Sequence, residues 1–489
     1  FLAPFLLADL KSGRLTDEEA YRYIHSLWTM IENRRTTVNG RIIVGGKGRK
    51  HPKEADVFLH IAMKVAKNCR YVEPQFTLRF DKETSEEIWD EALDALGAGA
   101  TYPTLYNDDV NVPAVMYGMR VDEKAAEQYV PFGCTEFVIQ GQSTGTPNIC
   151  INLLKLLTIY MNDGIDPIDG KRKSGPVPLK KLEEYQTFEE FYDGYKALLD
   201  YYLDLSVKAQ YHSYEVMNQH VSFLFSSLLT DDCIARGKAL LDGGVRYLGG
   251  TNETYGNINT SDSLWVIRDL VFNQKKYTLR QLNDAMLANF NGYEALRKDC
   301  LNCDKYGNDL ETADTMANDL YEFVAKGVRD RGIAIGMQYF LIVISNNQLN
   351  TEWGNRTAAS PDGRLSCMYM NPANNPQGGA NKSGPTAMLN SLAKFDAKYH
   401  GGSVQNIKFS PSMFNENRAV IKSLFKTYFA KGGCHLMVTV VDKGVLEDAV
   451  EHPENYPDLI VRVSGFSAVF VDLSPNIQQE LLSRVLYDK

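Results

Sequence analysis

Strand-like and helix-like patterns alternate through the first hundred residues, and this alternation constrains the fold more than any other feature of the chain. Residues 9–33 place Ala20, Tyr23, Ile24, Leu27 and Ile31 at helical spacing behind a capping box at Thr16-Asp-Glu-Glu19. Residues 34–50 read as a short strand and a Gly-rich turn, and 54–69 as a second helix. Pro74-Gln-Phe-Thr-Leu-Arg79-Phe is strand-like, 85–96 helical, and Tyr102-Pro-Thr-Leu-Tyr106 strand-like again, ending in polar Asn107, Asp108 and Asp109. Strands separated by helices predict βαβ units and a mainly parallel sheet.

Beyond a helix near 122–129, helical patterns dominate 148–160 and 186–242, with a polar loop at 163–181. Residues 249–257 read as a polar loop leading into a helix with Leu264, Ile267, Leu270 and Val271. Tandem helices are predicted over 278–348, then a long aperiodic stretch over 355–386, of the kind that is functional or disordered. Strands at 406–409 and 436–441 flank a helix near 416–430. With no repeats, low-complexity tracts or clear linker, residues 1–489 read as one continuous α/β body.

A chain of 489 residues with 44% hydrophobic and 23% charged residues can bury a large core. Its net charge of -9 argues against nucleic acid or an anionic membrane as the main partner. No apolar run is long enough to span a bilayer, and the apolar first residues lack the basic region of a signal peptide. The chain opens on Phe1 in what reads as the approach to a helix, so a start inside a longer polypeptide is expected. Eight scattered cysteines lack the density of a disulfide framework and predict a reducing, cytoplasmic setting. Cys300-x-x-Cys303 has no second pair and reads as a packing or surface feature, and the turn Gly45-Gly46-Lys-Gly48 lacks the spacing of a phosphate loop.

Two short stretches carry chemistry. In Pro131-Phe-Gly133-Cys134-Thr-Glu136, turn formers place a thiol on a loop. Thiolate catalysis requires a basic neighbour, and the nearest charged residue is acidic, which works against a thiolate. The arrangement suits hydrogen-atom abstraction by a thiyl radical, with Glu136 as base; the bland alternative is an inert buried thiol. Near the C-terminus, apolar runs at 459–463 and 468–473 are broken by Gly465. A glycine there marks a tight turn or, lacking a Cβ, an α-carbon that can flatten and share an unpaired electron with its flanking amides.

Arg462-Val-Ser-Gly465-Phe-Ser467 resembles the radical-bearing loop of the glycyl radical enzymes, the pyruvate formate-lyase-like family, and Gly133-Cys134-Thr-Glu136 resembles the active loop of their eliminase branch. Further matches are Ala359-Ser-Pro-Asp-Gly363-Arg364, Gly384-Pro385-Thr386-Ala387, Gly432-Gly433-Cys-His435 and His452-Pro453-Glu454. The resemblance implies a ten-stranded α/β barrel of two parallel five-stranded halves, with residues 1–440 as barrel and 441–489 as glycyl radical domain. It implies that Gly465 stores the radical, Cys134 becomes the thiyl and Glu136 the base, and that a homodimer acts on a small molecule. No bound cofactor is implied; a separate S-adenosylmethionine-dependent iron-sulfur activase installs the radical.

Two departures refine this expectation. Gly133 stands where pyruvate formate-lyase proper has a second cysteine, which argues against acetyl transfer, and Gly141-Gln-Ser143-Thr replaces the Gly-Trp-His-Asp of the diol dehydratases. Much of the family's N-terminal part is missing, so the sequence is a fragment or a second polypeptide completes the barrel. Radical elimination at a C–O, C–N or C–S bond is the leading expectation, with C–C cleavage or an incomplete, non-catalytic chain as alternatives. Asn107, Asp108, Gln142, Ser410 and Ser412 are the candidate substrate contacts, each able to serve a structural role instead.

Overall fold

The computed structural model describes residues 2–35, 40–145, 147–344 and 348–488. Part of the first predicted strand-and-turn stretch, Thr36 to Asn39, lies outside the described residues, as do Thr146 and the end of the predicted tandem helices at Ser345 to Asn347.

Thirteen strands are present among the described residues: β1 (Ile42–Gly45), β2 (Phe76–Phe80), β3 (Thr104–Asn107), β4 (Tyr129–Phe132), β5 (Glu136–Ile139), β6 (Pro147–Asn152), β7 (Gly249–Tyr255), β8 (Tyr339–Ile344), β9 (His400–Ser403), β10 (Asn406–Phe409), β11 (His435–Val440), β12 (Ile460–Arg462) and β13 (Ser467–Val469). One sheet runs β6-β7-β8-β9 and is parallel throughout. The other runs β1-β2-β3-β11-β10. Its strands from the two ends of the chain are parallel among themselves and meet antiparallel where β3 pairs β11. The expected α/β architecture is present; in place of two parallel five-stranded halves, the described residues give five strands with one antiparallel seam and four parallel strands.

Side-chain alternation explains the layers. On β8, Phe340, Ile342 and Ile344 face a core shared with Leu199 and Leu203 of helix Phe188–His220 and with Leu320 and Val324 of helix Glu311–Ala334. Tyr339 and Leu341 face the other way, onto Phe137 and Ile139 of β5. On β2, Phe76, Leu78 and Phe80 bury against helices Pro52–Asn68 and Glu86–Gly97, while Thr77 and Arg79 face the opposite side. Each large apolar side chain so buried contributes about 1.5–3 kcal/mol.

Several predicted boundaries move. The first helix is two, Ala3–Lys11 and Asp17–Glu32, the second starting at Thr16 with both halves of the capping box formed. Of residues 249–257, read as a loop, Gly249–Tyr255 form the inner strand β7 and Asn257 opens the following helix, and β8 emerges from the predicted tandem helices. Helix Asp108–Met119 follows β3 directly despite Pro113 within it.

Candidate active site

Two hairpins meet between the sheets. β4 and β5 form the first, with Gly133, Cys134 and Thr135 at its tip, closed by the Thr135 N–H donating to the Phe132 carbonyl at 3.0 Å. β12 and β13 form the second, with Ser464, Gly465 and Phe466 at its tip. A Cβ on Gly465 would stand 2.6 Å from the Cα, Cβ and Sγ of Cys134. Since a Cα–Cβ bond is about 1.5 Å, the Gly465 α-carbon lies within about 4 Å of the sulfur.

The tips are held in place by specific contacts. Thr135 has a φ of 108°, a backbone conformation costly for a β-branched residue. Gly402 in β9 leaves room for this tip, because a Cβ there would overlap the Thr135 carbonyl. Arg41 donates to the Gly133 carbonyl at 2.7 Å and to Thr77 Oγ1 at 3.2 Å, and also bonds Gln75. In the second tip, buried Arg462 donates to the Ser464 carbonyl at 2.7 Å and to Ser467 Oγ at 3.3 Å, with its guanidinium over the Tyr102 ring. Arg484 donates to the Val463 carbonyl at 2.6 Å.

Burial sets the protonation states. Cys134 is 7% exposed, and desolvation, followed by the charges of Glu136 and Glu253, pushes its thiol well above the usual range, so the sulfur holds its proton. Glu136 is raised to about 8, first by burial and then by Glu253. Burial pushes the His435 imidazole far below its ordinary value, and its Nδ1 accepts from the Gln405 N–H at 3.3 Å, which places the proton on Nε2. Tyr106 packs on this ring at 4.5 Å between centroids. Thr135 Oγ1, His435 Nε2 and Ser464 Oγ are buried without a hydrogen-bond partner among the described residues. This buried, neutral thiol in polar surroundings suits hydrogen-atom transfer and not thiolate attack.

The structure brings Gly465, Cys134 and Glu136 together and commits most of the other candidates elsewhere. Asn107 caps helix Asp108–Met119 and donates to the Phe429 and Gly433 carbonyls. Asp108 forms a buried ion pair with Arg79 at 2.7 Å and accepts from the Tyr129 hydroxyl at 2.8 Å, bracing the base of the cysteine hairpin. Ser410 caps helix Pro411–Glu416 and pairs with Ser412. Gln142 is half-buried in the loop after β5, its backbone bonded to Ile139 and Tyr247. Arg41 and Glu253 are absent from the sequence reading: Arg41 has no flanking motif, and Glu253 lies in the stretch taken for a loop.

By fold and site, the molecule is an α/β chain in which a buried cysteine hairpin meets a buried glycine loop. A family model described as pyruvate formate lyase-like matches residues 1–349, and one described as glycine radical matches residues 370–471. Trans-4-hydroxy-L-proline dehydratase of Clostridioides difficile is 28% identical over 99% of this chain and 63% of its own length. For (2S)-3-sulfopropanediol dehydratase of Klebsiella oxytoca the figures are 27%, 99% and 61%. The solved structure reported for 1,2-propanediol dehydration in Roseburia inulinivorans superposes with a TM-score of 0.90 at 28% identity, covering 99% of this chain and 63% of that one. The chain belongs to the pyruvate formate lyase-like family, and it spans a little under two thirds of the length of these relatives.

Proposed function

We infer that the chain carries the radical site of a glycyl radical eliminase. The observation behind this reading is the contact of Gly465 with a buried, protonated Cys134. A radical stored on the Gly465 α-carbon takes the hydrogen atom of the Cys134 S–H, and the resulting thiyl takes one from a substrate C–H. Glu136 removes the proton of the adjacent hydroxyl, and the neighbouring C–O, C–N or C–S bond breaks with loss of its leaving group. The product radical takes a hydrogen atom from the Cys134 S–H, the thiyl so formed takes the hydrogen atom back from the Gly465 α-carbon to restore the glycyl radical, and the proton on Glu136 passes to the departing group. Enclosure between the sheets protects these species from water and oxygen.

A radical on a glycine inside the fold needs an external source, which we assign to a separate S-adenosylmethionine-dependent iron-sulfur activase. Residues 441–489 form the glycyl radical unit in this reading, supported by a hydrophobic cluster of their own around Val441, Leu446, Val461, Phe470, Ile477 and Leu481. A homodimer in the cytoplasm is the corresponding expectation; among the described residues, no helix is long and apolar enough to cross a membrane. C–C cleavage is the second reading, supported by the 25% identity to the glycyl radical subunit of a 4-hydroxyphenylacetate decarboxylase from Clostridioides difficile. Product analysis after anaerobic activation of the full-length protein separates the two: water, amine or sulfite supports elimination, and carbon dioxide supports cleavage.

A further inference from the structure

β7 brings a second carboxylate to the face that carries the cysteine hairpin. In the β7–β8 register Thr251 lies opposite Leu341 and Glu253 opposite Val343, and residues paired in this way share a face. Leu341 packs on Phe137 and Ile139 of the hairpin. Asn252 points the opposite way, donating to Ser206 Oγ on the outer helix at 2.8 Å. Glu253 is 3% exposed, and its Oε2 accepts from the Tyr255 hydroxyl at 2.5 Å and the Cys150 thiol at 3.6 Å. Its charge reaches both Cys134 and Glu136, favouring their protonated forms. Arg41, whose charge also reaches both groups, and Arg462, whose charge reaches Cys134, direct hydrogen bonds to the Gly133 and Ser464 carbonyls.

We propose that Glu253 is a specificity-determining residue which, together with Glu136, selects a substrate bearing a protonated amine next to the reacting carbon over the matching neutral diol. The inference rests on the radical-elimination reading and concerns which molecule that site takes. Two carboxylates in one low-dielectric wall resist joint ionisation. An ammonium group relieves that repulsion and forms charge-assisted hydrogen bonds, roughly twice as strong as those of a neutral hydroxyl.

The test is anaerobic titration calorimetry of the full-length, unactivated protein with 1-amino-2-propanol and 1,2-propanediol, which share a skeleton. The amino alcohol binds about tenfold more tightly to the wild type; Glu253→Gln brings the two within about twofold, and Glu253→Asp retains the preference. Equal or tighter binding of the diol, binding of neither compound, or a preference that survives Glu253→Gln overturns the proposal. The glycyl radical signal of each protein after activation separates the two levels. A signal in Glu253→Gln shows that its fold and radical store are intact, whereas a wild type without signal strikes the elimination reading.

Discussion

Gly465 and Cys134 meet tip to tip, so closely that a single methyl group on the glycine would come 2.6 Å from the sulfur, Cβ and Cα of the cysteine. This contact explains why a residue without a side chain occupies the loop. Replacing Gly465 by Ala forces the hairpins apart, and overpacking of this kind costs about 1–3 kcal/mol. The expected result is a lower thermal midpoint with loss of all turnover, measured by calorimetry and product assay on the same preparation.

Glu136 gives the site a pH signature. Its carboxyl is raised to about 8 by burial and by Glu253, above its value of 4.5 in an unfolded chain. The folded state therefore binds this proton more tightly, and its contribution to stability, full below the ordinary carboxylate range, is lost as pH rises through about 8. A base must be ionised, so kcat/KM rises over the same window while the thermal midpoint falls. Glu136→Gln removes this activity limb and lowers kcat by about 10²–10⁴. A pH profile of kcat/KM without a limb near 8 contradicts the assignment.

Gly402 supports Cys134 from behind. A Cβ at this position would overlap the Thr135 carbonyl, and φ is 136°. Gly402→Ala shifts the hairpin tip, and a displacement of about 1 Å at a reacting group costs about 10²-fold in rate. The expected variant folds and acquires the radical but turns over slowly, a combination read by spin quantitation alongside steady-state kinetics.

Asp108 bears on stability and not on substrate. Its pair with Arg79 is buried, the side chains being 0% and 7% exposed. Removing one partner of such a pair costs about 3–5 kcal/mol. Asp108→Asn is expected to lower the urea midpoint by a corresponding amount while KM in the surviving folded fraction stays unchanged; a raised KM at unaltered stability would restore Asp108 as a substrate contact.

How far the chain could be read depends on where its chemistry leaves a local trace. Gly465 and Cys134 were legible because each stands in a short motif whose residue types fit radical chemistry poorly matched by any thiolate reading. Helix Pro52–Asn68 was legible because its apolar residues fall on one buried face, and strand Phe76–Phe80 because apolar Phe76, Leu78 and Phe80 alternate with polar Thr77 and Arg79, although all five are buried. β7 was hidden because it is polar on both faces: Glu253 faces the hairpin side and Asn252 a buried serine on the outer helix. β8 was hidden for the opposite reason, since Tyr339 to Ile344 are buried on both faces and give a continuous apolar run that periodicity cannot distinguish from a helix. Arg41 acts on Gly133 from 92 positions away, a relationship that only the closed fold creates.

The central claim is that Gly465 holds the radical and Cys134 receives it, and electron paramagnetic resonance of the anaerobically activated full-length protein tests it most directly. The account expects a glycyl signal in the wild type and in Cys134→Ser, with turnover lost in the latter, and no signal in Gly465→Ala. A signal that survives Gly465→Ala, or turnover that survives Cys134→Ser, would contradict it.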